Sequence, residues 1–249
     1  MMRHVDLCSG IGGFALGFEW AGLSKPVLFC DIEPWSRKIL AKHWPDVPIA
    51  EDVKELANDP DGLIPDCDIL TAGYPCQPFS LAGERRGTED DRHIWPYILS
   101  IIQGKRPAWC VFENVYGHVS MGLDEVLSDL EGEGYATRPF IVPACAADAP
   151  HRRDRVWIIA RNVAHSSGAG LQGWQNARGT SQSRAQRDKQ SARCSQRPDG
   201  QNWLPEPAVG RVAHGIPKRV DRLRGLGNAI VPQIAIRIGQ TIKQVEAET

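Results

Sequence analysis

Short apolar runs alternate with amphipathic stretches along most of the chain, and this rhythm predicts its elements. Val5-Asp6-Leu7-Cys8 reads as a strand, and Ser9-Gly10-Ile11-Gly12-Gly13 as the glycine turn that follows. Phe14 to Ala21 has helical spacing and stops at Gly22, and Pro26 to Cys30 reads as a second strand. Trp35 to Trp44 predicts a helix between Pro34, suited to a first turn, and Pro45, which ends it. Cys67 to Ala72 is an apolar run of the kind a strand covered on both faces requires. A helix over Ile94 to Gly104, a buried strand over Ala108 to Phe112 and a helix over Leu123 to Leu130 come next. Ala136 to Val142 and Val156 to Ala160 read as strands, and Val231 to Val245 as a closing amphipathic helix. Alternating strands and helices predict an α/β sheet with its ligands beyond the strands' C-terminal ends.

The rhythm fails from Arg161 to Asn202, a stretch rich in Ser, Gln, Gly and Arg with Trp174 its only aromatic residue. Such composition buries little core; a phosphate-tracking basic arm and a solvated linker both fit it. At 249 residues with net charge −1, the chain is no uniformly basic binder, so a nucleic-acid partner needs a local patch. The seven cysteines include no C-x-x-C pair, which argues against a zinc site or a disulfide framework and for a reducing cytoplasm. No signal-peptide core and no apolar run of membrane-spanning length is present, so a soluble protein is expected.

Five places carry candidate chemistry. The glycine turn, followed about twenty residues later by Asp31, fits a nucleotide site in which the acid binds ribose hydroxyls. NAD fits as well as another adenosine cofactor, and a tight turn with no ligand is the lesser alternative. Asp52, where a third strand would end, could reach an adenine amino group or sit in an exposed loop. Pro75 and Pro78 bracket Cys76, which is either an aimed nucleophile or a small buried hydrophobe. Glu113 ends a hydrophobic strand, as a solvated residue or as an acid with a raised pKa. Arg153 and Arg155 share one face by strand alternation, matching a phosphate, a base edge or plain solvent.

In this order the residues resemble the cytosine-5 DNA methyltransferases, over residues 2–160 and 203–245. Asp6-Leu7-Cys8-Ser9-Gly10-Ile11-Gly12-Gly13-Phe14 resembles the family's first motif, which holds S-adenosyl-L-methionine. Pro75-Cys76-Gln77 resembles the nucleophile motif, and Glu113-Asn114-Val115 the acid motif. Arg152-Arg153-Asp154-Arg155 resembles Q-x-R-x-R beside the target base, and Gly227-Asn228-Ala229 the last motif, which returns to the cofactor. Each is weak alone; five in order are specific. The chain departs from the pattern at His151 (usually glutamine), Asp31 (more often glutamate) and Cys8-Ser9 (often Phe-Ala), none of which removes a catalytic group. Gly210 to Asn228 resembles the short phage and prophage members.

The resemblance implies a Rossmann-like S-adenosylmethionine-dependent methyltransferase sheet with helices on both faces. Residues 1–160, completed by 226–249, would form it, with an antiparallel strand at Val156–Ala160 near one edge. Residues 161–225 would form a small, loop-rich target-recognition lobe. Implied cofactor contacts come from Asp6, Cys8, Gly10, Gly12, Gly13 and Phe14; from Asp31, Ile32, Asp52 and Val53; and from Gly73, Pro75, Asn228 and Ala229. The implied partner is double-stranded DNA with the target cytosine flipped out, bound by a cytoplasmic monomer with or without a cognate restriction endonuclease.

The implied reaction starts from a poor nucleophile, carbon 5 of cytosine. Addition of the Cys76 thiolate to carbon 6 makes the ring an enamine, whose carbon 5 can attack a sulfonium methyl. Protonated Glu113 at ring nitrogen 3 stabilises the charge that addition creates, while Arg153 and Arg155 support the carbonyl edge, the thiolate and the phosphates. A base, for which water is a candidate, removes the carbon 5 proton and Cys76 leaves. Flipping costs about a few kcal/mol, and the loop from Gln77 to Arg92 is the candidate to close over the base. An NAD oxidoreductase would leave Cys76, Glu113 and the arginines without a shared purpose, a transfer-RNA methyltransferase would use them all, and a non-catalytic DNA binder would need none. Cys76→Ser is expected to abolish methylation with cofactor binding near normal; turnover in that variant, measured by labelled-methyl transfer, sinks the mechanism.

Overall fold

The computed structural model describes residues 1–75, 94–147, 153–165 and 229–248. The first apolar run is β1 (Met2–Leu7), and the glycine turn after it opens α1 (Gly13–Trp20). Next come β2 (Ser24–Cys30) and α2 (Pro34–His43), whose Pro34 sits in the first turn, where its missing N–H breaks no helical bond. A two-residue β3 (Ile49–Ala50) and short helices α3 (Val53–Asn58) and α4 (Pro60–Leu63) lead to β4 (Ile69–Ala72), all of it buried. The chain continues through α5 (Trp95–Lys105), β5 (Trp109–Val115), α6 (Leu123–Gly132), β6 (Tyr135–Pro143) and β7 (Asp154–Asn162). The last helix is α7 (Pro232–Ala247).

The strands form one sheet in the order β3-β2-β1-β4-β5-β7-β6. β3, β2, β1, β4 and β5 are parallel, and β7 inserts antiparallel between β5 and β6. The expected antiparallel strand is therefore one position in from the edge. Strand order reverses between β1 and β4, so the loops beyond them diverge and open a crevice at the C-terminal end of the sheet. β5 outruns its apolar stretch because β7 continues its ladder, pairing Glu113 with Trp157 and Val115 with Arg155. Helices α3 and α4 are too short to show an amphipathic period, and the sequence pattern predicts neither.

Helices cover both faces. Val5, Leu7, Leu70, Phe112 and Ile158 pack with Leu56 of α3, Ile98 of α5 and Val126 of α6. Ile69, Trp109, Val111 and Trp157 pack on the other side with Phe14 and Phe18 of α1 and Ile234 and Ile242 of α7. Trp109 Nε1 also donates to Glu246 Oε1 at 2.9 Å, and Arg161 Nη2 lies 3.5 Å from the same oxygen, which pins α7 to β5 and β7. Cys8, Cys30, Cys67 and Cys110 are free thiols, as the scattered spacing suggests, whereas Cys145 is disulfide-bonded. Among the described residues no helix is long and apolar enough to cross a membrane.

The contact between α1 and α7 depends on Gly17. A Cβ there would stand 2.5 Å from Ala235 Cβ and 2.8 Å from the Pro232 carbonyl oxygen. Gly17→Ala gains about 1 kcal/mol of helix propensity but forces backbone apart, which costs about 1–3 kcal/mol. Urea unfolding should show a net loss of stability; an equal or higher midpoint means the helices separate without penalty.

Candidate active site

The C-terminal ends of β1 to β5 border a cavity of about 420 Å³. That volume suits a small-molecule ligand. Cys8 and Gly10 face it from the first turn, Asp31 and Ile32 from the loop after β2, and Asp52 and Val53 from the loop after β3. Gly73 and Pro75 line it beyond β4, and Glu113 and Arg155 close its far wall.

At the near end, the Asp31 carboxylate joins two loops. The Gly10 N–H donates to Asp31 Oδ2 at 2.7 Å, and the Glu33 N–H to Oδ1 at 2.9 Å. Each oxygen keeps a lone pair for a ligand hydroxyl. Burial raises the Asp31 pKa, against the pull of these two hydrogen bonds. Ile32 offers an apolar face that is 68% exposed. Asp52 Oδ1 accepts from the Lys54 N–H at 2.9 Å and so caps α3, which makes its loop position a structural one as well.

Other residues of the expected cofactor set build the turn behind the cavity and do not line it. Gly12 has φ 83, and a Cβ on it would lie 2.5 Å from the Trp44 ring. A Cβ on Gly13 would lie 2.8 Å from Ile230 Cβ, so its close approach is to the chain just beyond Ala229. Phe14 packs edge-on against Trp157 with ring centroids 5.6 Å apart. Asp6 is fully buried and accepts from the Thr71 hydroxyl at 2.6 Å, while the same hydroxyl oxygen lies 2.7 Å from His4 Nε2. Burial lifts Asp6 to about 8, with the Thr71 bond opposing, and lowers His4 to about 3. Both are neutral core groups at pH 7 that join β1 to β4. Asn228 and Cys76 lie outside the described residues. So do the loop from Gln77 to Arg92 and nearly all of the expected recognition lobe, from 166 to 225.

The far wall carries the charge. Glu113 is 7% exposed and sits on the face of the sheet that also holds Val111 and Trp157. Arg155 Nε donates to Glu113 Oε1 at 2.8 Å. Burial pushes Glu113 up to about 7, and the charges of Arg155 and then Arg153 hold it from rising further. Alternation along a strand puts both arginines on one face, but β7 starts only at Asp154. Arg153 instead adopts a left-handed backbone, φ 28, just before it. Its own pKa is lowered, by burial first and by Arg155 second.

Several further groups belong to the site without having been assigned a role from the sequence. Asn114, the middle residue of the acid motif, lines the cavity with Oδ1 accepting from the Val115 N–H at 2.8 Å and a buried Nδ2 that has no partner among the described residues. Tyr74, just ahead of Pro75, has its hydroxyl 3.0 Å from His118 Nε2, beyond the end of β5. Tyr74, Trp95 and Phe112 form one aromatic group with centroids 5.5 to 6.1 Å apart. Trp35 and Glu51 complete the near end, and neither stands out in a sequence scan.

Glu113 gives the site a pH signature. Its folded value of about 7 lies above an unfolded value of about 4.3. The stability it contributes is therefore complete below pH 4.3 and disappears as pH rises through about 7. Relative to Glu113→Gln, the wild type should lose stability across that window in urea unfolding; a difference that stays constant with pH contradicts the raised value.

Comparison with known proteins agrees with this architecture. The sequence profile of the C-5 cytosine-specific DNA methylase family matches residues 2–200. Type II methyltransferase M2.BsuMI of Bacillus subtilis is 34% identical over 171 residues, covering 64% of this chain and 42% of that protein. Type II methyltransferase M.NgoFVII of Neisseria gonorrhoeae is 32% identical over 162 residues, covering 63% and 43%. The matched part thus spans less than half the length of these relatives. Among solved structures, the Dnmt2 methyltransferase of S. pombe superposes with a TM-score of 0.57 at 24% identity, over 74% of this chain and 57% of that one. A putative DNA modification methyltransferase from an E. coli prophage gives 0.53 at 22% identity, over 65% and 47%. These superpositions establish the fold, and with the profile match across most of its length the chain belongs to the C-5 cytosine-specific DNA methylase family.

Proposed function

We propose that the protein is a DNA (cytosine-5-)-methyltransferase that methylates carbon 5 of a flipped-out cytosine through a covalent Cys76 adduct at carbon 6. One observation carries the proposal: a buried carboxyl, Glu113, lifted to about 7, shares a cavity with the Asp31–Gly10 pair suited to an adenosine ligand. An acid half protonated near neutrality can donate to ring nitrogen 3 and still recover its proton. Arg155, 2.8 Å away, keeps that proton exchangeable and adds positive charge where the ring gains electron density.

The cavity also fits S-adenosyl-L-methionine, which when bound would supply an electrophilic methyl group. Asp31 would accept from the ribose hydroxyls, Ile32 would offer adenine an apolar face, and Asp52 would offer its amino group a carboxylate. Pro75 lines the cavity, and Cys76 follows it in sequence, which supports Cys76 as the group that reaches carbon 6. The partner is double-stranded DNA, and residues 161–225 choose the site. The chain acts as a cytoplasmic monomer, compatible with a cognate restriction endonuclease but not dependent on one.

Labelled-methyl transfer to DNA and to transfer RNA tests this reading. Label should enter DNA, and Glu113→Gln should lower kcat by about 10²–10³ with DNA affinity little changed, because the lost interaction is made in the transition state. Label confined to RNA, or a loss of DNA affinity that accounts for the loss of rate, contradicts it.

A further inference from the structure

Two loops at the near end of the cavity are joined by one side chain that does not itself line it, Arg37 of α2. Arg37 reaches back past the start of its helix to the loop after β2. Its Nη1 donates to the Asp31 carbonyl at 3.0 Å and to the Ile32 carbonyl at 2.9 Å. Its Nη2 pairs with Glu51 Oε1 at 3.1 Å, and Glu51 lines the cavity from the loop after β3, beside Asp52. With the Gly10 N–H on Asp31 Oδ2, the loops after β1, β2 and β3 form one linked string.

The linkage needs a guanidinium. Two protons on one nitrogen serve two carbonyls while the other nitrogen faces a carboxylate, a fork that an ammonium on a flexible stem does not reproduce. The carbonyl bonds also matter more than the ion pair. The Arg37 side chain is 20% exposed and the Glu51 side chain 72%, and an ion pair that open to water contributes little.

The geometry points to Arg37 as a positioning residue for the adenosine end of the ligand, holding the Asp31–Ile32 backbone in place before binding. Without it the loop must order when the ligand arrives, which weakens affinity but leaves the reacting end untouched. Asp31 and Ile32 lie on the near side of the cavity and Glu113 on the far side, so the effect belongs in KM and not in kcat. The inference rests on reading the cavity as the S-adenosylmethionine site.

Calorimetric titration of the full chain with S-adenosylhomocysteine tests it, with adenosine as a competitor for the near end alone. Arg37→Met should bind S-adenosylhomocysteine about tenfold more weakly, about 1.4 kcal/mol, and adenosine should lose the same factor. KM for S-adenosylmethionine should rise with the dissociation constant, while kcat at saturation stays within about twofold. Should Arg37→Met fail to fold by circular dichroism, Arg37→Lys carries the same comparison with an expected loss of about threefold. Wild-type affinity in the folded variant overturns the inference, as does a loss for S-adenosylhomocysteine without one for adenosine, or a fall in kcat at saturation. A wild-type protein that binds neither ligand overturns instead the reading of the cavity.

Discussion

A carboxyl group buried at the end of a hydrophobic strand, with an arginine 2.8 Å away, is the constraint on which the site depends. Burial favours the neutral acid and outweighs the arginines, which favour the anion and hold the value at about 7. Less burial would leave Glu113 an ordinary carboxylate with no proton to give at neutral pH. Without the arginines it would hold its proton too tightly. The sheet sets both conditions, since β5 supplies the apolar run and the antiparallel β7 brings Arg155 to its end.

The remainder of the fold serves that placement and the cavity facing it. Reversal of strand order between β1 and β4 opens the crevice. Hydrogen bonds through Asp31 and Arg37 fix the loops on its near side. The sheet face that carries α1 is covered by α7, whose close contact at Gly17 and anchor at Glu246 hold the last part of the described chain over α1 and β5. Ile230, just ahead of α7, presses on Gly13, so the glycine turn is shaped as much by the returning chain as by a ligand.

The parts of this arrangement legible in the sequence are those that depend on local pattern. Apolar runs mark β1, β4, β5 and β7, and the acid after Phe112 stands out because charge follows a buried run. Asp31 is legible through its spacing from the glycines. Local pattern says less where contacts are distant. Tyr74 and His118 meet across 44 residues, and neither alone looks functional. Gly12 and Gly13 signal a close approach, but the sequence does not distinguish a ligand from Trp44 and Ile230. Alternation assigns Arg153 to the face of Arg155, yet the strand begins one residue later and Arg153 takes a left-handed backbone. Arg37 looks like a solvated helix residue until its carbonyl partners are known.

The most direct test of the account is the protonation state of Glu113 itself. Carbon NMR of glutamate carboxyls labelled with carbon-13, with Glu113→Gln to assign the resonance, follows its titration without relying on turnover. The account predicts a midpoint near the value of about 7 that burial and the two arginines set together. A midpoint in the ordinary range of about 4.3 would mean that Glu113 is a plain ion-pair partner of Arg155 and has no proton to give to a cytosine at neutral pH.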